Sequence, residues 1–90
     1  MADWKFITNH GAVLALIHKG QRITSREIAA KIGITERSVV RILSDLEEAG
    51  YIERTREGRT NKYSIAVRLI LRHDFAREVA IIDFLRLFEG

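Results

Sequence analysis

Two short helices, each preceded by a threonine and followed by a glycine, are predicted between Thr24 and Gly50. Thr24 and Glu27 have the T-x-x-E spacing of a capping box, in which both side chains accept hydrogen bonds from backbone amides at the start of a helix. Gly33 is expected to end that helix, because a left-handed backbone costs little only without a β-carbon. Thr35 is placed to cap the second helix, which Gly50 ends. Two helices joined by so short a turn indicate a helix-turn-helix.

A β-hairpin is predicted directly after the second helix, with strands at Tyr51–Arg56 and Arg59–Ile65 and a turn at Glu57-Gly58. A further helix, capped by Thr8 or Asn9 and ending at Lys19, is predicted before the pair, and residues 21–23 are predicted to form a short strand against the hairpin. The predicted fold class is α+β, mostly α: a winged helix-turn-helix, with a three-helix core, a β-hairpin wing and an additional C-terminal helix.

Residues 1–66 are expected to form the winged helix-turn-helix domain, and residues 67–90 a tail that serves packing or dimerisation. The tail is predicted to contain a helix capped by Asp74, since apolar residues recur there at helical spacing. A chain of 90 residues buries a modest share of its surface, so a homodimer is expected. The residues predicted for its interface are aromatic or aliphatic: Trp4, Phe6, Phe75, Val79, Ile82, Leu85 and Phe88.

Composition narrows the possible functions. The chain has no cysteine, which excludes disulfide scaffolds, thiolate zinc sites and cysteine nucleophiles and is compatible with a reducing cytoplasm. No signal peptide is recognised, and charged residues interrupt the apolar C-terminal stretch, so we expect no membrane association. The formal net charge is +3. The positive charge is concentrated on the hairpin, where Arg54, Arg56, Arg59 and Lys62 outweigh Glu57.

The second helix of the pair is the candidate DNA-recognition element. Arg37 and Arg41 lie four residues apart and therefore point in the same direction, and either can contact guanine through two hydrogen bonds. Basic and polar residues at the hairpin are expected to meet phosphate or the minor groove. The predicted DNA-binding residues are Thr35, Glu36, Arg37, Ser38, Val40, Arg41, Arg56, Arg59, Thr60, Asn61 and Lys62.

The sequence contains few residues in the arrangements that catalysis or metal binding requires. The chain contains no glycine-rich phosphate loop, no G-x-S-x-G and no H-E-x-x-H, and we expect no enzyme activity and no cofactor. Histidine ligands need partners, and no cysteine is available; Asp74 and Glu78 near His73 could complete a site of oxygen and nitrogen ligands only across a dimer, and we expect no metal.

The stretch GITERSVVRILSDLEEAGYIERTREGRTNKYSI closely resembles winged-helix transcriptional regulators of the MarR/ArsR type. GRTNKY resembles their wing return, and the opening WKFITNHGAVLALI is similar to that of a small, compact subgroup. The resemblance implies that Arg37, Ser38, Val40 and Arg41 face the groove and that Arg59 meets the DNA backbone. We expect the chain to lack the long flanking helices of the larger members.

The predicted function is therefore sequence-specific binding of double-stranded DNA by a transcriptional regulator. Two alternatives remain open at this point. The fold is also used for contact with protein or RNA, and Glu36 and Val40 leave room for that use. A ligand sensor with a pocket between the tail helix and the first helix is the other alternative. The sequence specifies no operator and no effector.

Overall fold

The computed structural model describes residues 4–72, 75 and 77–89, and it confirms the predicted fold class. Four helices and one two-stranded sheet occur among these residues: α1 (Asn9–Lys19), α2 (Ser25–Ile32), α3 (Glu36–Glu48), β1 (Ile52–Glu57), β2 (Thr60–Ile65) and α4 (Ile81–Arg86). None of the helices in the described part of the chain combines the length and apolarity that crossing a membrane demands.

Three threonines cap the first three helices: Thr24 and Thr35 as predicted, and Thr8 as one of the two residues predicted for the first helix. The hydroxyl oxygen of Thr8 accepts a hydrogen bond from the amide of Gly11, and that of Thr35 accepts one from Ser38. At α2 the capping box is complete, since Glu27 N–H donates to Thr24 Oγ1 at 3.1 Å and Thr24 N–H donates to Glu27 Oε1 at 3.0 Å. The amide and hydroxyl of Thr24 lower the pKa of the Glu27 carboxyl.

The hairpin turn lies one residue later than predicted. Strands β1 and β2 pair antiparallel from Ile52 opposite Ile65 to Glu57 opposite Thr60, which leaves Gly58 and Arg59 as the turn. Gly58 has a φ of 63°, the positive value that the first position of such a two-residue turn requires and that glycine adopts at low cost. The shift places Arg59 at the tip of the wing rather than inside the second strand.

One hydrophobic core connects all the helices with the hairpin. Ile17 of α1, Ile28 of α2 and Val39 of α3 are fully buried in it, and Tyr63 contributes the aromatic ring of β2. The C-terminal segment enters the same core through Ile81 and Leu85, which are 1% and 0% exposed. The tail is therefore packed against the chain's own helices.

The prediction of a C-terminal helix starting at Asp74 is wrong in its bounds. Helix α4 begins at Ile81, because the residues before it pair with the segment that follows the hairpin. Ile70 and Ala80 form an antiparallel bridge, and Leu71 N–H donates to the carbonyl of Val79 at 2.6 Å. An extended backbone at this point excludes the long helix. Asp74 itself lies outside the described residues.

Candidate nucleic-acid interface

Helix α3 has one buried and one exposed face. Four apolar side chains fix the buried face in the core: Val39, Ile42, Leu43 and Leu46. The exposed face carries the residues at the complementary helical positions, Arg37, Val40, Arg41 and Ser44. Since the core holds the helix on one side, the direction of the exposed face is set by the fold.

Arg37 and Arg41 are both exposed. Among the residues that the structure describes, none forms an ion pair or hydrogen bond with either guanidinium group. Guanidinium donors in this state are free to meet an external acceptor such as a base edge or a phosphate. The structure thus brings the two predicted arginines together on an open surface.

Some of the polar residues predicted to bind DNA at the start of α3 form hydrogen bonds within the protein. The hydroxyl of Thr35 caps the helix and also donates to Ser38 Oγ at 2.9 Å. Ser38 accepts that bond and keeps its own hydroxyl hydrogen for another acceptor. Glu36 lies next to α2, where Ser25 Oγ approaches its carboxylate at 3.4 Å.

The C-terminal half of α3 is acidic, and two of its carboxylates have partners. Asp45 Oδ2 lies 2.8 Å from Nε2 of His10 in α1. Glu47 Oε1 lies 3.1 Å from the guanidinium of Arg54 in β1. Arg54 is one of the basic residues of the hairpin, but its guanidinium already has this carboxylate as a partner. Within α3 itself the basic residues are Arg37 and Arg41, and both lie in its first half.

At the wing, Arg59 is the predicted residue that lies in the two-residue turn. It is exposed at the tip, and no hydrogen bond or ion pair holds its side chain within the described chain. Arg56 donates from Nε to the carbonyl of Gly58 at 3.1 Å, and the Thr60 hydroxyl donates to the carbonyl of Glu57 at 3.2 Å, so both stabilise the turn. Asn61 and Lys62 are half-buried.

A contact that sequence reasoning missed connects the wing to the turn between α1 and α2. Arg22 lies 2.6 Å from Glu57 Oε1, and the amide of Tyr63 donates to the carbonyl of Gln21 at 2.9 Å. Residues 21–23 therefore meet the hairpin, but through this single backbone bond rather than as the predicted strand. The ion pair joins residues 35 apart, for which local patterns carry no signal.

We expect Arg22→Glu to loosen the wing, because it places like charges opposite each other at Glu57. An exposed ion pair contributes about 0.2–1 kcal/mol, so amide hydrogen exchange at the wing should accelerate by up to about fivefold. The double variant Arg22→Glu/Glu57→Arg should restore protection. Arg26→Glu, a charge reversal at another exposed arginine, is the control. Equal exchange in the Arg22 and Arg26 variants would show that the pair does not hold the wing.

The predicted dimer residues are only partly on the surface. Trp4 and Phe6 are 66% and 88% exposed and pack edge to face with ring centroids 4.9 Å apart, and Phe75 is 83% exposed. Ile82, Phe88 and Val79 are half-buried. Val79 was predicted to be helical, but it precedes the first residue of α4. Leu85 is fully buried in the chain's own core, contrary to the prediction that it faces a partner.

The sequence raises two other kinds of site: a metal site, which is not expected, and a ligand pocket, which is an alternative. His73 and Asp74, proposed partners for a metal, lie outside the described residues, and among the described ones no group of three or more potential ligands comes together. An open groove of about 850 Å³ lies between α1, the end of α3 and the C-terminal segment. Its walls include Phe6, Leu14, Tyr51 and Phe84.

A helix-turn-helix followed by a β-hairpin on a shared core defines a winged-helix domain. The family model of the MarR family matches residues 7–60, which is more than half of the chain. The chain therefore belongs to the MarR family.

Individual relatives extend the comparison. An uncharacterized protein of Methanocaldococcus jannaschii is 35% identical over 63 residues, which are 69% of this chain and 13% of that protein. MepR, a transcription regulator of the Staphylococcus aureus multidrug efflux pump MepA, superposes with a TM-score of 0.63 at 19% identity, over 90% of this chain and 53% of MepR. MepR in its DNA complex gives a TM-score of 0.59 at 22% identity, over 91% of this chain and 54% of MepR. At these identities the match to MepR establishes the fold. The chain spans about half the length of MepR and a small part of the Methanocaldococcus protein.

Proposed function

We propose that this protein is a transcriptional regulator that binds double-stranded DNA sequence-specifically. Helix α3 enters the major groove, and residues 54–62 of the wing lie on the backbone or in the minor groove. The observation that carries the proposal concerns Arg37 and Arg41, whose guanidinium groups have no partner among the residues that the structure describes. Both lie on the exposed face of a helix whose other face is fixed in the core. Such a face can present rigid donors to base edges.

The charge distribution supports this orientation. The helix N-terminus and Ser38 provide donors for phosphate, while Asp45 and Glu48 would repel it from the other end of α3. Arg59 extends the positive surface to the wing tip. MepR, which shares the fold, has been crystallised with DNA. In this orientation α3 points its first turns toward the duplex.

The proposal includes a homodimer of this chain. Trp4 and Phe6 leave an aromatic surface exposed at the N-terminal end, which a homodimer would cover. Two copies related by a twofold axis would place their α3 helices in successive major grooves about 34–36 Å apart, on a palindromic site. Sedimentation as a monomer at micromolar concentration would reject this part of the proposal.

Binding to a duplex of random sequence should weaken steeply with salt, because each neutralised phosphate releases counterions. Replacing Arg59 with alanine removes about one such contact and should reduce the slope of log K against log salt by about one unit. Fluorescence anisotropy between low and physiological salt measures both slopes. Arg86→Ala, which removes an equal charge from α4, should leave the slope unchanged.

The same titration tests the alternative uses of the fold. A module for protein contact would bind duplex DNA weakly and without a steep slope, and an RNA-binding module would prefer single-stranded or duplex RNA over DNA of the same sequence. Either result would contradict the proposed function. The groove beside α1 leaves room for a regulatory ligand, and thermal shifts with metals and with phenolic or lipid-like compounds test that addition.

A further inference from the structure

Val40 differs from every other apolar residue of α3. The helix is described in full, and its remaining apolar side chains are buried, whereas Val40 is 50% exposed. Arg37 precedes it by three residues and is therefore its neighbour on the helix surface, and Arg41 follows it in the sequence; all three residues are exposed. Val40 thus shares the exposed face with two guanidinium groups that have no partner among the described residues.

Folding gives no reason for a valine at this position. Val40 lies outside the core cluster, and alanine is the better helix former because its side chain loses no rotamer freedom. A single exposed apolar residue is common on protein surfaces and points to no ligand by itself. Its place beside Arg37 on the exposed face that also carries Arg41 is what connects it with recognition.

The chemistry of the major groove gives such a valine one partner. Arginine carries only donors and selects acceptors, of which guanine N7 and O6 are the best matched. Valine can make no hydrogen bond. The apolar group on the base edges of this groove is the C5 methyl of thymine, which cytosine lacks. 5-Methylcytosine carries its methyl at the same ring position.

We propose that Val40 is a specificity-determining residue that packs on the C5 methyl of a pyrimidine beside a guanine contacted by Arg37 or Arg41. The inference rests on the proposed function and adds which bases the exposed face selects. Thymine supplies this methyl in unmodified DNA, and 5-methylcytosine supplies it in methylated DNA. Methylation of a cytosine at that position therefore strengthens binding.

The test begins with selection of bound sequences from a random duplex library. The selected site is resynthesised with uracil in place of each thymine in turn, which removes only the methyl group. For the wild-type protein, uracil at one thymine should lower the affinity about fourfold, the effect of leaving one methyl unburied. Val40→Ala should bind the thymine and uracil duplexes with equal affinity.

A second pair of duplexes carries cytosine or 5-methylcytosine at the same position. The wild-type protein should bind the methylated duplex about fourfold more tightly, and Val40→Ala should not distinguish the two. Val40→Ile keeps an apolar side chain and should retain the preference for methylated bases. Agreement between the two pairs assigns the effect to the methyl group rather than to the hydrogen-bonding edge.

Three results would overturn the inference. The first is that wild-type affinity stays unchanged whichever thymine is replaced by uracil. The second is that Val40→Ala keeps the full preference for the methylated bases, and the third is that selection recovers no preferred sequence. In the first two cases salt-dependent binding of duplex DNA would leave the proposed function standing, whereas a selection without any preferred sequence would also remove its sequence specificity. Failure to bind any duplex would refute the proposed function and this inference together.

Discussion

Replacing Arg37 and Arg41 together with alanine is expected to lower the affinity for a selected duplex by at least about 30-fold. Each guanidinium that forms two hydrogen bonds with guanine contributes about 1–3 kcal/mol of discrimination, and both groups share one face of α3. Their effects are expected to couple, because the two side chains are neighbours. Competition of the selected duplex against random duplex measures the loss.

The control for this variant removes the same charge elsewhere. Arg68→Ala/Arg86→Ala lowers the net charge equally on the C-terminal segment and should reduce both kinds of binding only slightly. The Arg37/Arg41 variant should lose mainly the difference between selected and random duplex, since binding through the wing remains. An equal loss in the two double variants would mean that the arginines of α3 act only through charge.

Leu85→Ala is expected to destabilise the whole domain, because this side chain is 0% exposed in the core it shares with α1. Truncation of a buried leucine to alanine costs about 2–5 kcal/mol, a large part of the stability of a domain of this size. The midpoint of thermal unfolding should fall by roughly 8–40 °C, at about 4–8 °C per kcal/mol. Circular dichroism melts measure the shift.

Leu87 offers a matched control two residues away. Its side chain is 75% exposed, so Leu87→Ala should change the free energy of unfolding by no more than about 0.5 kcal/mol. If both leucine variants melted together with the wild type, the C-terminal segment would not belong to the cooperative unit. A lower midpoint for Leu85→Ala alone would show that the tail folds with the helices and the wing.

The sequence predicts those parts of this fold whose cause is local. The capping box of Thr24 and Glu27 and the cap at Thr35 each depend on groups within three residues, and the structure confirms them. The exposed face of α3 follows from helical periodicity in the same way. Arg37 and Arg41 could be chosen as candidates for that reason.

The remaining features depend on contacts between distant residues. Helix α4 is shorter than predicted because Ile70 pairs with Ala80, a contact that helical spacing in the tail cannot reveal. The ion pairs that engage Glu57 and Arg54 likewise join separate elements. Periodicity could rank the arginines by position, but it could not show which of them already have a carboxylate partner.

The separation of charge along α3 has a kinetic consequence. Arginines occupy its first half, whereas Asp45, Glu47 and Glu48 lie toward its other end. In the field of a polyanion such a helix experiences a torque, so we expect the approaching molecule to rotate into register before any short-range contact forms. Collisions in the reverse orientation would separate quickly, which would shorten the search for a productive encounter.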